Sequence, residues 1–311
     1  VSWEGLLQDL AEPHRPLRAS HLVRLSDLPP TRQQELARLW PRIDVTRRRQ
    51  LLQRLVETAE SNFDLDFDPV FLMALDDPDA DARVLAVRGL WSRERRDVIP
   101  RLIALLENDP EPQVRAEVAL ALGNFVLFYA LGKLREKHFR PIEEALRRTI
   151  EDPSEPEEVR ARALEAMGYC GDRPWVREAI RTAFESGRHR LRVSAVHAMG
   201  RSAEERWLPI VLRELGSDDP ELRYEAALAC GSIGDPQAVP HLAPLLHDDD
   251  AEVREAAILA LGQIGGEEAR ELLLSLQDDP SPAIREAVAD ALLELEVAED
   301  PFSPRSFLDE R

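Results

Sequence analysis

The sequence predicts an all-α solenoid of about seven stacked helix pairs, and three observations carry that reading. The stretch 248–266, DDDAEVREAAILALGQIGG, recurs along the chain. Aligned on Arg254, equivalent arginines stand at Arg83, Arg115, Arg160, Arg192, Arg223 and Arg285, with successive gaps of 32, 45, 32, 31, 31 and 31 residues. A period in the low thirties with one helix pair per period marks stacked repeats, each burying its apolar face against its neighbours. Counting from the arginine, positions −1, +3, +4 and +7 are nearly always apolar, one stripe of a 3.6-residue helix. An apolar fraction of 44% with only 5% aromatics suits helices that pack closely through Ala and Leu.

Residues 1–63 do not obey the period. WEGLLQDL, ASHLVRLSDL, TRQQELARLW and DVTRRRQLLQRLVETA each place apolar residues three and four apart, with Pro13, Pro16, Pro29, Pro30 and Pro41 between them. They predict three or four short helices that cover the apolar end of the first repeat, because terminal repeats need a cap. Residues 64–297 form the solenoid. In each repeat a first helix, typified by VPHLAPLLHD at 239–248, has proline early, as at Pro100, Pro209 and Pro240, where a missing N–H costs little. The second helix follows an Asp-rich turn, whose side chains cap free amides at its positive end.

Gly123, Gly168, Gly200, Gly231 and Gly262 all fall at +8, where the lack of a side chain lets neighbouring helices approach; Gly234 and Gly265 read as helix stops. The 45-residue gap holds about 13 extra residues within 125–150, including Phe125, Phe128 and Tyr129. They predict a lengthened helix or extra turn on the solenoid edge, or else a projecting grip on a partner. The tail, 298–311, has no periodicity and reads as disordered, with Phe302 and Phe307 as docking anchors.

The net charge of −19 is concentrated in the repeats. Residues 1–60 carry 10 arginines against 8 acids, leaving 30 Lys and Arg against 51 acids for the rest. A surface this acidic repels phosphate and argues against nucleic acid or an anionic membrane as partner. Cys170 and Cys230 fall in non-adjacent repeats and read as two free, buried thiols. With no apolar run long enough to span a bilayer, they predict a cytoplasmic chain.

DPEPQVRAEVALALG, DDPELRYEAALACGSIGD and DDDAEVREAAILALGQIGG resemble HEAT repeats, specifically the short bacterial type also called PBS-lyase HEAT-like repeats, over roughly residues 64–297. The resemblance implies a right-handed superhelix whose second helices line the concave side. It also implies a ladder in which the seven repeat arginines meet turn acids at Asp77, Asp109, Asp218, Asp249 and Asp279. Ser186 and Gly187 depart from that pattern.

Enzymes built on this repeat leave marks that the chain lacks. Deoxyhypusine hydroxylases use repeated His-Glu dipeptides for iron, and none of the seven histidines here is followed by Glu. HEAT-like DNA glycosylases need a basic groove. His247 with Asp248, Asp249 and Asp250 has metal-ligand chemistry, but acids recur at this turn and capping accounts for them. No CxxC, HExxH, P-loop or GxSxG is present. We therefore expect no catalytic residue, metal or cofactor; a phycobilin-lyase-like pigment or cofactor chaperone, using the groove as a pocket, is the alternative.

The positions free to vary are +2, +5 and +9 on the second helix, with +1 bordering them. In the middle repeats they bring together Arg162, Glu165, Tyr169, His197, Arg201 and Tyr224, next to Leu228 and Leu259. Arg and Tyr anchor interfaces well because they join large contact area to directed hydrogen bonds. The expectation is a non-catalytic scaffold whose concave face binds another protein or a peptide segment, acidic or aromatic in character, through these eight residues.

Overall fold

A computed structural model describes residues 2–12, 14–62, 64–90 and 95–299, and in these it holds eighteen α-helices, six short 3-10 segments and no strand. The fold is an all-α solenoid of helix pairs. Four helices come first: α1 (Trp3–Ala11), α2 (Ala19–Val23), α3 (Pro30–Leu39) and α4 (Val45–Ser61). Seven pairs follow. They are α5 (Asp68–Ala74) and α6 (Ala80–Gly89), α7 (Ile99–Asn108) and α8 (Pro112–Ala130), α9 (Glu136–Glu151) and α10 (Glu157–Met167), and α11 (Pro174–Glu185) and α12 (His189–Ser202). Next come α13 (Leu208–Glu214) and α14 (Pro220–Ile233), α15 (Val239–Leu242) and α16 (Ala251–Ile264), and α17 (Glu267–Leu274) and α18 (Pro282–Glu299). Phe302 and Phe307 of the tail lie outside the described residues.

Contacts divide the chain within α10 into two compact units, residues 1–163 and 164–311. In the first unit α4 packs on α6 and α6 on α8, while α5 and α7 cover them from one side. In the second, α12, α14, α16 and α18 stack in the same way, flanked by α11, α13, α15 and α17. Each stack is the direct product of the stripe. Val253, Ala257, Ile258 and Leu261 of α16, at −1, +3, +4 and +7, are all fully buried.

The close approach expected at +8 is present. A Cβ on Gly200 would sit 2.8 Å from the Ala229 Cα, and one on Gly231 would sit 2.9 Å from the Ala260 Cα. Each glycine thus lies against the +6 alanine of the next second helix. Gly234 ends α14 in the left-handed region, at φ +72°, with its N–H on the Cys230 carbonyl at 3.0 Å.

Two stretches differ from the sequence reading. The helix expected at 239–248 is split: α15 passes into a 3-10 segment, Ala243–His247. Pro244 has no N–H for the fourth carbonyl back, so the regular ladder is interrupted there. The other is α4, which the sequence places in the cap but which packs as the second helix of a further pair would. Its Leu51, Leu52 and Leu55, at +3, +4 and +7 from Arg48, are fully buried.

The extra residues of 125–150 lengthen α8 to 19 residues and α9 to 16. Aromatic contacts hold the junction down. Phe125 meets Phe128 edge-on at 6.2 Å, Tyr129 stacks on buried Phe139 at 3.8 Å, and the Tyr129 hydroxyl donates to Glu136 at 2.6 Å.

Candidate protein-interaction site

The repeat arginines lie inside the turns. Each of five guanidiniums reaches the carbonyl six residues earlier: Arg83 to Asp77 at 2.8 Å, Arg115 to Asp109 at 2.7 Å, Arg223 to Ser217 at 2.9 Å, Arg254 to Asp248 at 2.6 Å and Arg285 to Asp279 at 2.7 Å. Two of these forks are completed by the aspartate that holds the same register in the next turn, whereas Arg254 holds only carbonyls although Asp279 stands in that register. Arg83 takes both Asp109 oxygens at 2.7 and 2.8 Å, and Arg223 takes both of Asp248 at 2.7 and 2.8 Å. Each carboxylate is aimed by its own turn, since Asp109 accepts the Glu111 amide and Asp248 the Asp250 amide.

This register corrects two positions. The rung is Asp248, not Asp249, and its counterpart one turn earlier is Ser217, not Asp218. Ser154 and Ser186 hold the same register in the third and fourth pairs. Accordingly Arg115 turns to Glu155 at 3.1 Å, Arg160 to the Ile150 carbonyl at 3.0 Å, and Arg192 to Glu214 at 2.6 Å. One rung was not foreseen: Arg48 of α4 grips Asp77 through two bonds of 2.7 and 3.1 Å, with both side chains buried. The α4 sequence hides it because Arg47 and Arg49 flank it, and Arg47 stands where the stripe calls for an apolar residue.

The eight candidate partner residues do not form one kind of surface. Arg162 belongs to the first unit, where it pairs with Glu158 at 2.8 Å. In the second unit, Glu165 is buried, only 3% exposed, and accepts from Ser194 at 2.6 Å and Arg190 at 2.9 Å. It is an internal anchor, not a contact for a partner. Arg201 donates to the Glu165 carbonyl at 2.9 Å and lies 4.8 Å from the Tyr169 ring centroid. His197 Nδ1 is 2.9 Å from Glu225. Tyr169, His197 and Arg201 are half-buried and already tied to neighbouring helices.

Tyr224, Leu228 and Leu259 are placed differently. With Ala256 they line a groove of about 530 Å³ over α14, α16 and α18, and Leu259 is 42% exposed. The acids on its walls are Glu252, Glu255, Asp290 and Glu294. Burial, then the neighbouring Glu225, Glu252 and Glu255, push the Tyr224 hydroxyl above its ordinary pKa. The first unit has a groove of about 680 Å³ over the equivalent face of α6 and α8, lined by Leu85, Leu120 and Arg162 among others. Two of its acids are matched within it, Arg88 with Glu117 at 2.9 Å and Arg162 with Glu158, while Asp81 pairs with Arg49 outside it and Glu60 also lines it.

Other chemistry is sparse. Cys170 and Cys230 are free and buried, and burial pushes the Cys230 thiol up to about 12, leaving it un-ionised at neutral pH. Among the described residues no three His, Cys, Asp or Glu side chains converge to hold a metal ion, and no helix is long and apolar enough to cross a membrane.

A family model for HEAT repeats matches residues 68–148 and 208–293, together more than half of the chain. The chain belongs to the HEAT-repeat family. The interval between the two HEAT matches contains Ser154 and Ser186, two of the three turns where aspartate is replaced; the third, Ser217, lies within the second match. No curated protein matches the sequence. Among solved structures, YibA of E. coli is 19% identical, covering 78% of this chain and 96% of its own, with a TM-score of 0.46. Human deoxyhypusine hydroxylase in complex with glycerol is 20% identical, covering 94% of this chain and 96% of its own, with a TM-score of 0.37. An engineered protein is 18% identical over 94% of this chain and 88% of its own, with a TM-score of 0.41.

Proposed function

We propose that this HEAT-repeat chain is a non-catalytic scaffold that binds a partner protein or peptide on the free faces of its second helices. The observation that carries the reading is Leu259: a large apolar side chain left 42% exposed in the wall of a groove, beside Leu228 and Tyr224. Large exposed apolar groups that share a concavity with an aromatic ring are the ingredients of an interface anchor. Tyr169, His197 and Arg201 border this face and shape it, with Glu165 beneath them, and Arg162 belongs to the corresponding face of the first unit. A stack of repeats presents such a face over many side chains at once, so affinity is built from several modest contacts.

The test is capture of partners from the native cell extract by the tagged chain beside a Leu228→Asp, Leu259→Asp variant of equal helicity. A protein retained by the wild type and lost from the variant is the expected result. The same set retained by both would remove the groove from the function.

A further inference from the structure

The α14–α16–α18 groove is one-signed. Glu252, Glu255, Asp290 and Glu294 surround the apolar floor of Leu228 and Leu259, and no Lys or Arg lines it. Among the described residues none of these four carboxylates makes an ion pair, in contrast to the first unit's groove, where Arg88 and Arg162 neutralise Glu117 and Glu158. Unmatched carboxylates along one concavity raise a negative potential that the rest of the groove does not cancel.

We propose that this groove receives a basic amphipathic segment of the partner, with an apolar side chain seated on Leu228 and Leu259 and Lys or Arg side chains set against the four carboxylates. The proposal rests on the scaffold reading above and replaces the acidic partner expected from the arginines and tyrosines alone. The volume of about 530 Å³ suits a few side chains of a segment laid along the surface, the arrangement of a helix in a groove. The apolar floor supplies desolvated contact; the carboxylates supply orientation, fast encounter and discrimination against acidic segments. The exposed part of the Tyr224 ring offers a face on which a cation can rest.

Fluorescence anisotropy on the full chain tests this, with a labelled amphipathic Leu/Lys helical peptide as the probe and its Leu/Glu counterpart as the comparison. The Leu/Lys peptide is expected to bind and the Leu/Glu peptide not to. Leu259→Ala, which changes no charge, and Glu255→Gln with Asp290→Asn should each weaken binding about tenfold. Glu267→Gln with Glu268→Gln, which removes as much charge from α17, should change it by less than about twofold. The proposal is overturned if the α17 variant loses as much as the groove variants, if Leu259→Ala has no effect, if the Leu/Glu peptide binds as well, or if the Leu/Lys peptide does not bind. Loss of a cellular partner from the Leu228→Asp, Leu259→Asp variant, alongside any of those outcomes, would leave the scaffold standing and refute only the basic segment.

Discussion

Arg48 and Arg285 have the same role in register and very different surroundings. Arg48 and Asp77 are both buried, so removing one leaves the other as an unpaired buried charge. Arg48→Met is expected to destabilise the chain by about 3–5 kcal/mol. Arg285 is exposed and holds only carbonyls, and Arg285→Met should cost about 1 kcal/mol or less. Urea midpoints of the two variants measure the difference. The Arg223–Asp248 pair adds a pH signature. Arg223, and then the Asp250 amide, hold the Asp248 carboxyl below its ordinary value. A folded pKa below the unfolded value of about 3.9 gives stability that is present above that pH and lost as pH falls through the folded value. Asp248→Asn should therefore lower stability by about 1.5–3 kcal/mol at pH 7, and the gap to wild type should close well below about pH 3.9. Thermal melts of both proteins across pH read this directly. The seven arginines were legible from their spacing. Their acidic partners were only partly so, because SDDP and DDDA offer adjacent candidates and only the fold of the turn selects Asp248 over Asp249.

Among the elements, the second helices are the best determined, by an apolar stripe that reappears in each and by glycine at +8. A Cβ added at Gly231 would lie 2.9 Å from backbone of α16 and 3.2 Å from the Ala260 side chain, so the helices must part to admit one. Gly231→Ala is expected to cost about 1–3 kcal/mol, as overpacking does, while Gly266→Ser, with nothing near it, tests backbone strain alone. Calorimetry on the two variants separates steric from conformational cost. Elements without the stripe were harder to read. The 3-10 break after α15 depends on a second proline whose effect competes with good helical periodicity. The fate of 125–150 was open because aromatic residues serve equally as a projecting grip or as packing; Tyr129 on Phe139 decides for packing at that junction. The α4 rung was concealed by a basic run that reads as a solvated face.

At the scale of the whole molecule, the repeated face is what remains for function once the stripe, the ladder and the glycines have been assigned to packing. The positions were legible as a set, since they are those the repeat leaves free. Their division was not: a buried Glu165 and an exposed Leu259 occupy equivalent registers, and only the packing of adjacent helices tells an internal anchor from a groove wall. The −19 net charge, too, acquires meaning only when it is seen that the second unit's groove lacks a counter-charge and the first unit's does not. Attraction between that groove and a basic segment should weaken as salt shortens the Debye length from about 10 Å at 0.1 M to about 3 Å at 1 M, while the apolar contribution of Leu259 persists. The measurement that bears most directly on the scaffold reading is site-specific photocrosslinking in the native cell, with the crosslinker placed at Leu259 or at Glu268 on α17. Discrete adducts to a partner protein from position 259, absent from position 268, are the predicted result; adducts from 268 with none from 259 would contradict it.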